Sequence, residues 1–546
     1  MNLISRIFLA ASLLGTSSVM SQKLKKADKL VIHHLKAHVA YLADDKLEGR
    51  RAGTTGEELA RKYISSQMES IGLGPKGDGG GWLQAFPIYD GKDYRQGSYL
   101  FINGTEIKKE NFFPYALSPE KILEAMPSIA LKETGVPWFM DLRAEKEANK
   151  DNPHFDADNN ILVKAADAAS KGATALILFN DESQVYNPKQ RGNELPIPVL
   201  FINKEESDKY LHDETDMLEI KLKTGFTKME RTGHNVIGYI DNGAPLTVIL
   251  GAHYDHLGYG EDGNSMIRNG SPAIHNGADD NASGTAALIE LARLLKKEKQ
   301  KKYNYLFIAF SAEELGLFGS KYFTENATLP LSQVSFMINM DMVGRLNDTS
   351  HALTIGGYGT SPAWAGAFSS LSDHRYFKIK FDSSGTGPSD HSSFYRKDLP
   401  VLFFFTGLHT DYHKPGDDAE KINYEGQYRI LQLIRTVVKN TSEQSKMVFS
   451  KTREQQTSTS ARFSVSLGIM PDYSFSGNGV KVDGVSEGRA AKKAGILTGD
   501  IVLQLGDYPT ASVEQYMQAL GKFKKGDKTI VKYKRGESEF SSPVEF

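Results

Sequence analysis

Two short apolar runs constrain this chain most, because each leads directly into ionisable residues. Leu246-Thr247-Val248-Ile249-Leu250 runs into Gly251-Ala252-His253-Tyr254-Asp255-His256. Tyr305-Leu306-Phe307-Ile308-Ala309-Phe310 runs into Ser311-Ala312-Glu313-Glu314. Runs of this length, β-rich and bounded by turn residues, read as buried strands of a parallel sheet. Further runs of the same kind are Val236–Ile240, Val334–Met340 before Asp341, and Val401–Phe405 before His409 and His413. Between the first two lies Asn276-Gly277-Ala278-Asp279-Asp280-Asn281-Ala282-Ser283-Gly284, which opens a helical pattern. Ligands of open α/β sheets gather at the carboxyl ends of strands. His253, Asp280, Glu314, Asp341 and His413 therefore fall where a site would be built.

Histidine and carboxylate sets suit divalent metals, zinc foremost. The chain contains no cysteine, which excludes disulfides, thiolate ligands and thiol catalysis. Carboxylates meeting at ~4 Å repel by ~4 kcal/mol per pair at an effective dielectric of ~20. Two divalent cations reverse that sign. Glu313, next to Glu314, is left as a carboxylate free to act as a base. Water on a two-metal site ionises near neutral pH.

The rest of the chain surrounds this segment with further modules, as 546 residues exceed one ordinary domain. Residues 1–21 have a basic residue, a short apolar core and small residues before Gln22, the pattern of a cleaved secretory signal. That core is too short to span a membrane, and export to a periplasm or beyond is the expectation. Residues 22–102 read as the first part of the unit that carries these motifs. In it, His33, His34 and His38 lie on a helix and have no evident carboxylate partner, and Ala43–Arg50 reads as a polar turn. A second helix, Leu59–Ile71, ends at Gly72. Residues 103–230 differ in composition, with strand patterns at Leu176–Phe179 and Ile197–Ile202, and 231–440 resume the first pattern. Residues 441–462 are rich in Ser, Thr, Gln and Lys and read as a linker with few contacts. The net charge of -2 with mixed signs gives no nucleic-acid footprint.

The motifs, in this order, resemble the di-zinc exopeptidase family of secreted bacterial leucine aminopeptidases, relatives of glutamate carboxypeptidase and glutaminyl cyclase. The resemblance covers Leu35–Gln84 and Asn235–Lys439. It implies an α/β fold, a mixed and mostly parallel sheet sandwiched by helices, with two zinc ions per chain. It implies His253 and Asp341 on one zinc, Glu314 and His413 on the other, and Asp280 bridging. Glu313 would be the general base, Asp255 would orient His253, and Tyr412 would donate to the oxyanion. Ser389-Asp390-His391 and Asp417 match positions near the site. The bond Asp280–Asn281 is expected to be cis. Residues 103–230 resemble a protease-associated (PA) insert. Residues 463–546 resemble a PDZ domain through Ala494-Gly495-Ile496-Leu497-Thr498-Gly499-Asp500, with Phe463–Ile469 as a strand and Leu467, Gly468 and Ile469 as the loop that holds a peptide carboxylate.

The reading is an exported zinc aminopeptidase acting on peptides, with a C-terminal peptide ligand for its PDZ domain. Alternatives are a carboxypeptidase or dipeptidase using the same site, and a non-catalytic peptide-binding scaffold. The site's neighbourhood is acidic (Asp255, Asp279, Glu313, Asp390, Asp417), which favours a substrate ammonium. Arg345, Arg396 and Lys414 are the nearby cations in sequence, and Arg345 is the candidate clamp for a carboxylate.

Overall fold

A computed structural model describes residues 24–546, apart from 150–156, 191, 214, 268–271, 299–300, 370–375, 442–444, 453–464, 472–474, 476, 486–488 and 525. The signal segment 1–21 and much of the linker lie outside the described residues. Among the described residues no helix is long and apolar enough to cross a membrane.

The largest sheet has nine strands. At its centre Asn304–Phe310, Thr247–His253, Val334–Met340 and Val401–Phe405 run parallel and side by side. The first three are buried along their whole length. Burial on both faces explains why their sequences are continuous apolar runs rather than alternating ones. Antiparallel strands flank this centre: Thr227–Ile240 beside Asn304–Phe310, and Ala352–Gly356 beside Val401–Phe405. Helices Lys26–Leu42, Thr55–Ile71, Gly284–Lys296 and Tyr424–Thr441 contribute to the same apolar core as the sheet, which is thus the mixed sheet expected. Because the four central strands share one direction, the segments after them all emerge at one end.

Two strands leave this sheet together. Leu83–Asp93 pairs with Thr227–Ile240 over nearly its whole length and carries the chain out to residues 99–224. The strand Tyr99–Ile102, expected in the first peptidase segment, instead pairs with Ile220–Thr224. The boundary at 102/103 therefore moves to just before Tyr99. A second small sheet, Phe112–Pro114, Val199–Ile202, Leu176–Phe179 and Trp138–Asp141, packs against the helix Ala157–Ser170.

Two expectations about the polar segments change. Arg50, in the supposed polar turn, is fully buried. It donates to the carbonyls of Tyr254 (2.7 Å), Asn276 (2.6 Å), Gly277 (3.0 Å) and Leu42. It thus fastens the N-terminal segment to the backbone around His253 and Asp280. The supposed linker is docked over its first half. Met447 is 4 % exposed in the main core, Ser450 N donates to Thr360 O (2.8 Å), and Thr452 N donates to the Tyr395 hydroxyl (3.0 Å). The apolar triplet Met447-Val448-Phe449, set in a polar run, supplies the reason.

The C-terminal module has its own core, including Leu467, Val480, Val502 and Val531. Its strand begins at Ile469 and runs to Pro471, while residues 465–468 precede it without strand pairing. The extended strand expected from Phe463 is thus shorter, and residues 463–464 lie outside the described ones. Gly468 has φ +86°, and a Cβ there would meet the Arg489 Cβ at 2.2 Å, so the Leu467-Gly468-Ile469 loop requires glycine. The helix Val513–Leu520 and the strand Ile469–Pro471 belong to this unit.

Candidate metal centre

His253 is the last residue of its strand, and Asp341 directly follows Met340 at the end of the neighbouring strand. Their side chains meet, with His253 Nε2 3.3 Å from Asp341 Oδ1. The same nitrogen lies 3.4 Å from Asp280 Oδ1. Asp280 turns its other oxygen, Oδ2, to His413 Nε2 at 3.2 Å. His413 Nε2 in turn lies 3.1 Å from Glu314 Oε2. Asp280 therefore stands between two histidines, one oxygen toward each, and each histidine has a second carboxylate beside it. The Asp280–Asn281 bond is cis, as expected.

The residues around this set hold it from behind. Asp255 is fully buried; its carboxylate approaches His253 Nδ1 (3.7 Å) and accepts from the backbone N–H of Glu313 (3.1 Å) and Glu314 (3.4 Å). One aspartate thus ties the end of the His253 strand to the turn bearing both glutamates. Asp417 Oδ2 accepts from the N–H groups of Asp279 (2.9 Å) and Asp280 (3.0 Å). Glu57, from the helix Thr55–Ile71, accepts from Tyr254 (3.0 Å) and from Ser311, joining the two strand ends a second time. Asp390 is buried, with neither oxygen hydrogen-bonded. His391 stacks on Phe403 instead (centroids 4.4 Å apart).

His256 was not singled out from the sequence. Its Nδ1 lies 2.8 Å from Glu314 Oε1, and its buried Nε2 has no hydrogen-bond partner. The signal was the second histidine of His253-Tyr254-Asp255-His256, three residues beyond the first. His256, Asp280 and Glu314 form one potential metal-holding group, and His253, Glu313 and Asp341 another. Tyr412 stacks on the His413 ring (3.9 Å).

The charges of the site fit a cation. Among the described residues, Asp280, Glu314 and Asp341 form ion pairs only with histidines. Burial should lower the His413 imidazolium, but Glu314 and Asp280 overcome it and raise the group to about 11. Burial should raise Glu314, but His413 and His256 hold it at about 2. The His253 and His413 imidazoles are pressed to carry positive charge among carboxylates. A divalent cation meets the same demand while releasing protons. The Glu313 carboxyl shifts the other way. Burial raises it first, and Asp341, Asp390 and Glu314 raise it further, well above the carboxylate range.

One expectation about the N-terminal helix is overturned. His34 Nδ1 and His38 Nε2 do have a carboxylate partner, lying 3.1 and 3.3 Å from the oxygens of Glu290 in the middle of the helix Gly284–Lys296. Glu290 stands among Leu288, Ile289 and Leu291, where a lone carboxylate was the available signal. Arg345, the candidate clamp, donates to Asp411 (3.0 Å) and lies 3.9 Å from Asp417.

Known proteins share this arrangement of sequence. Residues 235–438 match Peptidase family M28, and residues 435–545 match a PDZ domain. Over 409 residues the chain is 29 % identical to aminopeptidase YwaD of Bacillus subtilis (strain 168), covering 71 % of this chain and 80 % of YwaD. It is 30 % identical over 201 residues to leupeptin-inactivating enzyme 1 of Streptomyces exfoliatus, 36 % of this chain and 40 % of that protein. A solved zinc aminopeptidase from Bacillus subtilis, BSAP, aligns over 76 % of this chain and 98 % of its own, with 23 % identity and a TM-score of 0.43. Residues 235–438 are thus similar to peptidase family M28, and residues 435–545 to a PDZ domain.

Proposed function

We propose that this peptidase is an exported aminopeptidase with two zinc ions per chain. The observation that carries the reading is Asp280, whose two oxygens face two histidines, each with its own further carboxylate. His253 and Asp341 would hold one ion, His413 and Glu314 the other, and Asp280 both. Bound there, the ions would supply Lewis acidity toward the peptide carbonyl and a more acidic water.

The remaining work falls to the chain's own side chains. Glu313 takes the proton from the attacking water and returns it to the leaving amine. A carboxyl whose affinity for protons is raised suits both steps. Asp255 holds the His253 ring and the Glu313 backbone in register, so that base and ligand stay at fixed separation. Tyr412, packed on His413, donates to the developing oxyanion. Residues 99–224 act as a PA-like insert, and the PDZ groove beside Leu467, Gly468 and Ile469 takes the carboxyl end of a peptide. Export rests on the signal pattern of residues 1–21.

The amino end is favoured over the carboxyl end by the acidic surroundings of the site and because Arg345 already donates through Nη2 to Asp411, leaving Nη1, 3.9 Å from Asp417, without a hydrogen bond. A clamp for a substrate carboxylate needs a free bidentate face. Hydrolysis of matched peptides, unblocked, acetylated or amidated, tests the choice. Acetylation should remove most turnover and amidation little. The opposite pattern establishes a carboxypeptidase.

A further inference from the structure

The segment after the His253 strand passes through Gly258, Gly260 and Gly263, all at positive φ (+64°, +87° and +78°). Three such glycines give a loop with large conformational freedom to lose. Yet this loop does precise work. The carbonyl of Asn264 lies 2.9 Å from His413 Nδ1, Met266 N donates to the His413 carbonyl (3.0 Å), and the Asn264 amide lies 3.4 Å from the Glu314 carbonyl. The acceptor on one imidazole nitrogen fixes the ring's orientation and which nitrogen is left for a ligand.

What holds the loop is Asp262, whose side chain is 5 % exposed. Arg51 grips it with both ends of its guanidinium, Nε at 2.7 Å and Nη2 at 3.0 Å. Arg231 Nη2 donates at 3.1 Å and Lys189 Nζ at 2.6 Å. Asp90 completes the cluster, accepting from Arg231 Nη2 (3.0 Å) and forming ion pairs with Arg231 Nε (2.9 Å) and Lys189 Nζ (2.8 Å). Burial alone would raise the Asp262 carboxyl. Arg51, Arg231 and Lys189 reverse this and hold it well below the usual range. An exposed ion pair contributes little, but a buried carboxylate gripped by three cations is a fixed point.

The cations come from different parts of the molecule. Arg51 precedes the helix Thr55–Ile71, and Arg231 lies on the long strand leading back from the insert. Lys189 belongs to the insert itself. Its turn is seated against the outgoing strand, where Lys92 N donates to Pro188 O (3.0 Å) and a Cβ on Gly91 would lie 2.6 Å from that oxygen. A physical link therefore runs from the insert through Lys189, Asp262 and Asn264 to His413.

We propose that Asp262 is a positioning residue for the His413 half of the metal centre, and that the inserted module tightens its hold through Lys189. The proposal rests on the reading that His413 and Glu314 bind metal. The test uses the full-length protein with zinc as the probe, and compares Asp262→Asn, Lys189→Met and the double variant. Zinc dissociation constants come from competition with a chromogenic chelator, and thermal melting of the metal-free proteins reports folding separately. Asp262→Asn should weaken one of the two zinc sites by roughly 10- to 100-fold, the range for residues that orient ligands. Lys189→Met should weaken the same site by a smaller factor. The double variant should bind no more weakly than Asp262→Asn alone, because both changes cut one link. Folded variants that bind zinc within twofold of wild type, or additive losses, overturn the proposal. If Asp262→Asn does not fold, the half-exposed Lys189→Met decides by the same criterion. A wild-type protein with no zinc affinity overturns the metal reading and the clamp together, whereas two tight sites unmoved in every variant overturn the clamp alone.

Discussion

Two of the histidine–carboxylate clusters among the described residues are separated by their charge balance. At the strand ends, Asp255, Asp280, Glu313, Glu314 and Asp341 crowd around His253, His256 and His413. Between the helices Lys26–Leu42 and Gly284–Lys296, a single carboxylate, Glu290, is met by His34, His38 and Arg293. The first cluster has more negative groups than its imidazoles can neutralise. The second is complete, with Arg293 Nε at 2.8 Å and His38 tied onward to the Tyr63 hydroxyl at 2.7 Å. Proximity of histidine and carboxylate is thus a weak sign of a metal site, whereas an excess of buried carboxylate is a strong one.

Removing metal should produce the largest difference between the clusters. Elemental analysis is expected to return two zinc ions per chain, and chelation should abolish hydrolysis until zinc is restored. Glu290→Gln should leave the zinc content unchanged. Zinc lost with Glu290, or retained after Asp280→Asn, would erase the distinction between the clusters.

Glu313→Gln comes next. It should keep the zinc and the fold and lower turnover by about 10²–10⁴-fold, the usual contribution of a positioned acid–base group. A variant that turns over at the wild-type rate identifies another base, and Asp390, buried with no hydrogen bond to its oxygens, is the neighbour to change next.

Glu290→Gln should act on stability instead, lowering it by about 1–3 kcal/mol as a buried hydrogen-bonded carboxylate is neutralised. Burial raises the Glu290 carboxyl, but the hydrogen bonds from His38 and Arg293 outweigh it, so the folded value lies below 4.5. A depressed folded value adds stability above the unfolded one. That stability is lost as the pH falls through the folded value. Denaturant melts of wild type and variant should therefore diverge above the ordinary glutamate value of about 4.3 and converge as the pH falls through the lower folded value. Parallel curves across that window would mean that Glu290 is not ionised in its pair.

Both clusters were unequally legible in the amino-acid sequence, for a physical reason. His253, Glu314, Asp341 and His413 each follow a strand whose continuous apolar run can be read from one dimension, and the shared direction of the strands does the rest. His256 was in plain view, but His253 already marks the end of the same strand, and the partner of His256, Glu314, follows the neighbouring one. Glu290 and its histidines are 252 and 256 residues apart, and only the packing of two helices brings them together. Arg50 reads as surface charge because its partners are carbonyls, which leave no mark on the sequence. The clamp on Asp262 draws on four distant segments and was equally invisible.

The smallest expected effect is on short-substrate turnover when the C-terminal module alone is removed, because its separate core contains none of the centre's histidines or carboxylates. Where the chain is cut should matter more than what is removed. Residues 445–452 belong physically to the peptidase, with Met447 buried in its core and Thr452 bound to Tyr395. Truncation after Thr441 strips that segment and should cost about 2–5 kcal/mol, the range for losing a buried side chain of this size. Truncation after Thr452 keeps it and should leave hydrolysis of a short chromogenic substrate within a few-fold of wild type, while altering the handling of long peptides. Melting temperatures and turnover of the two truncations, measured side by side, separate the cases. Equal stability of both would show the docked segment to be idle, and loss of short-substrate turnover in the longer one would make the PDZ domain part of the peptidase site.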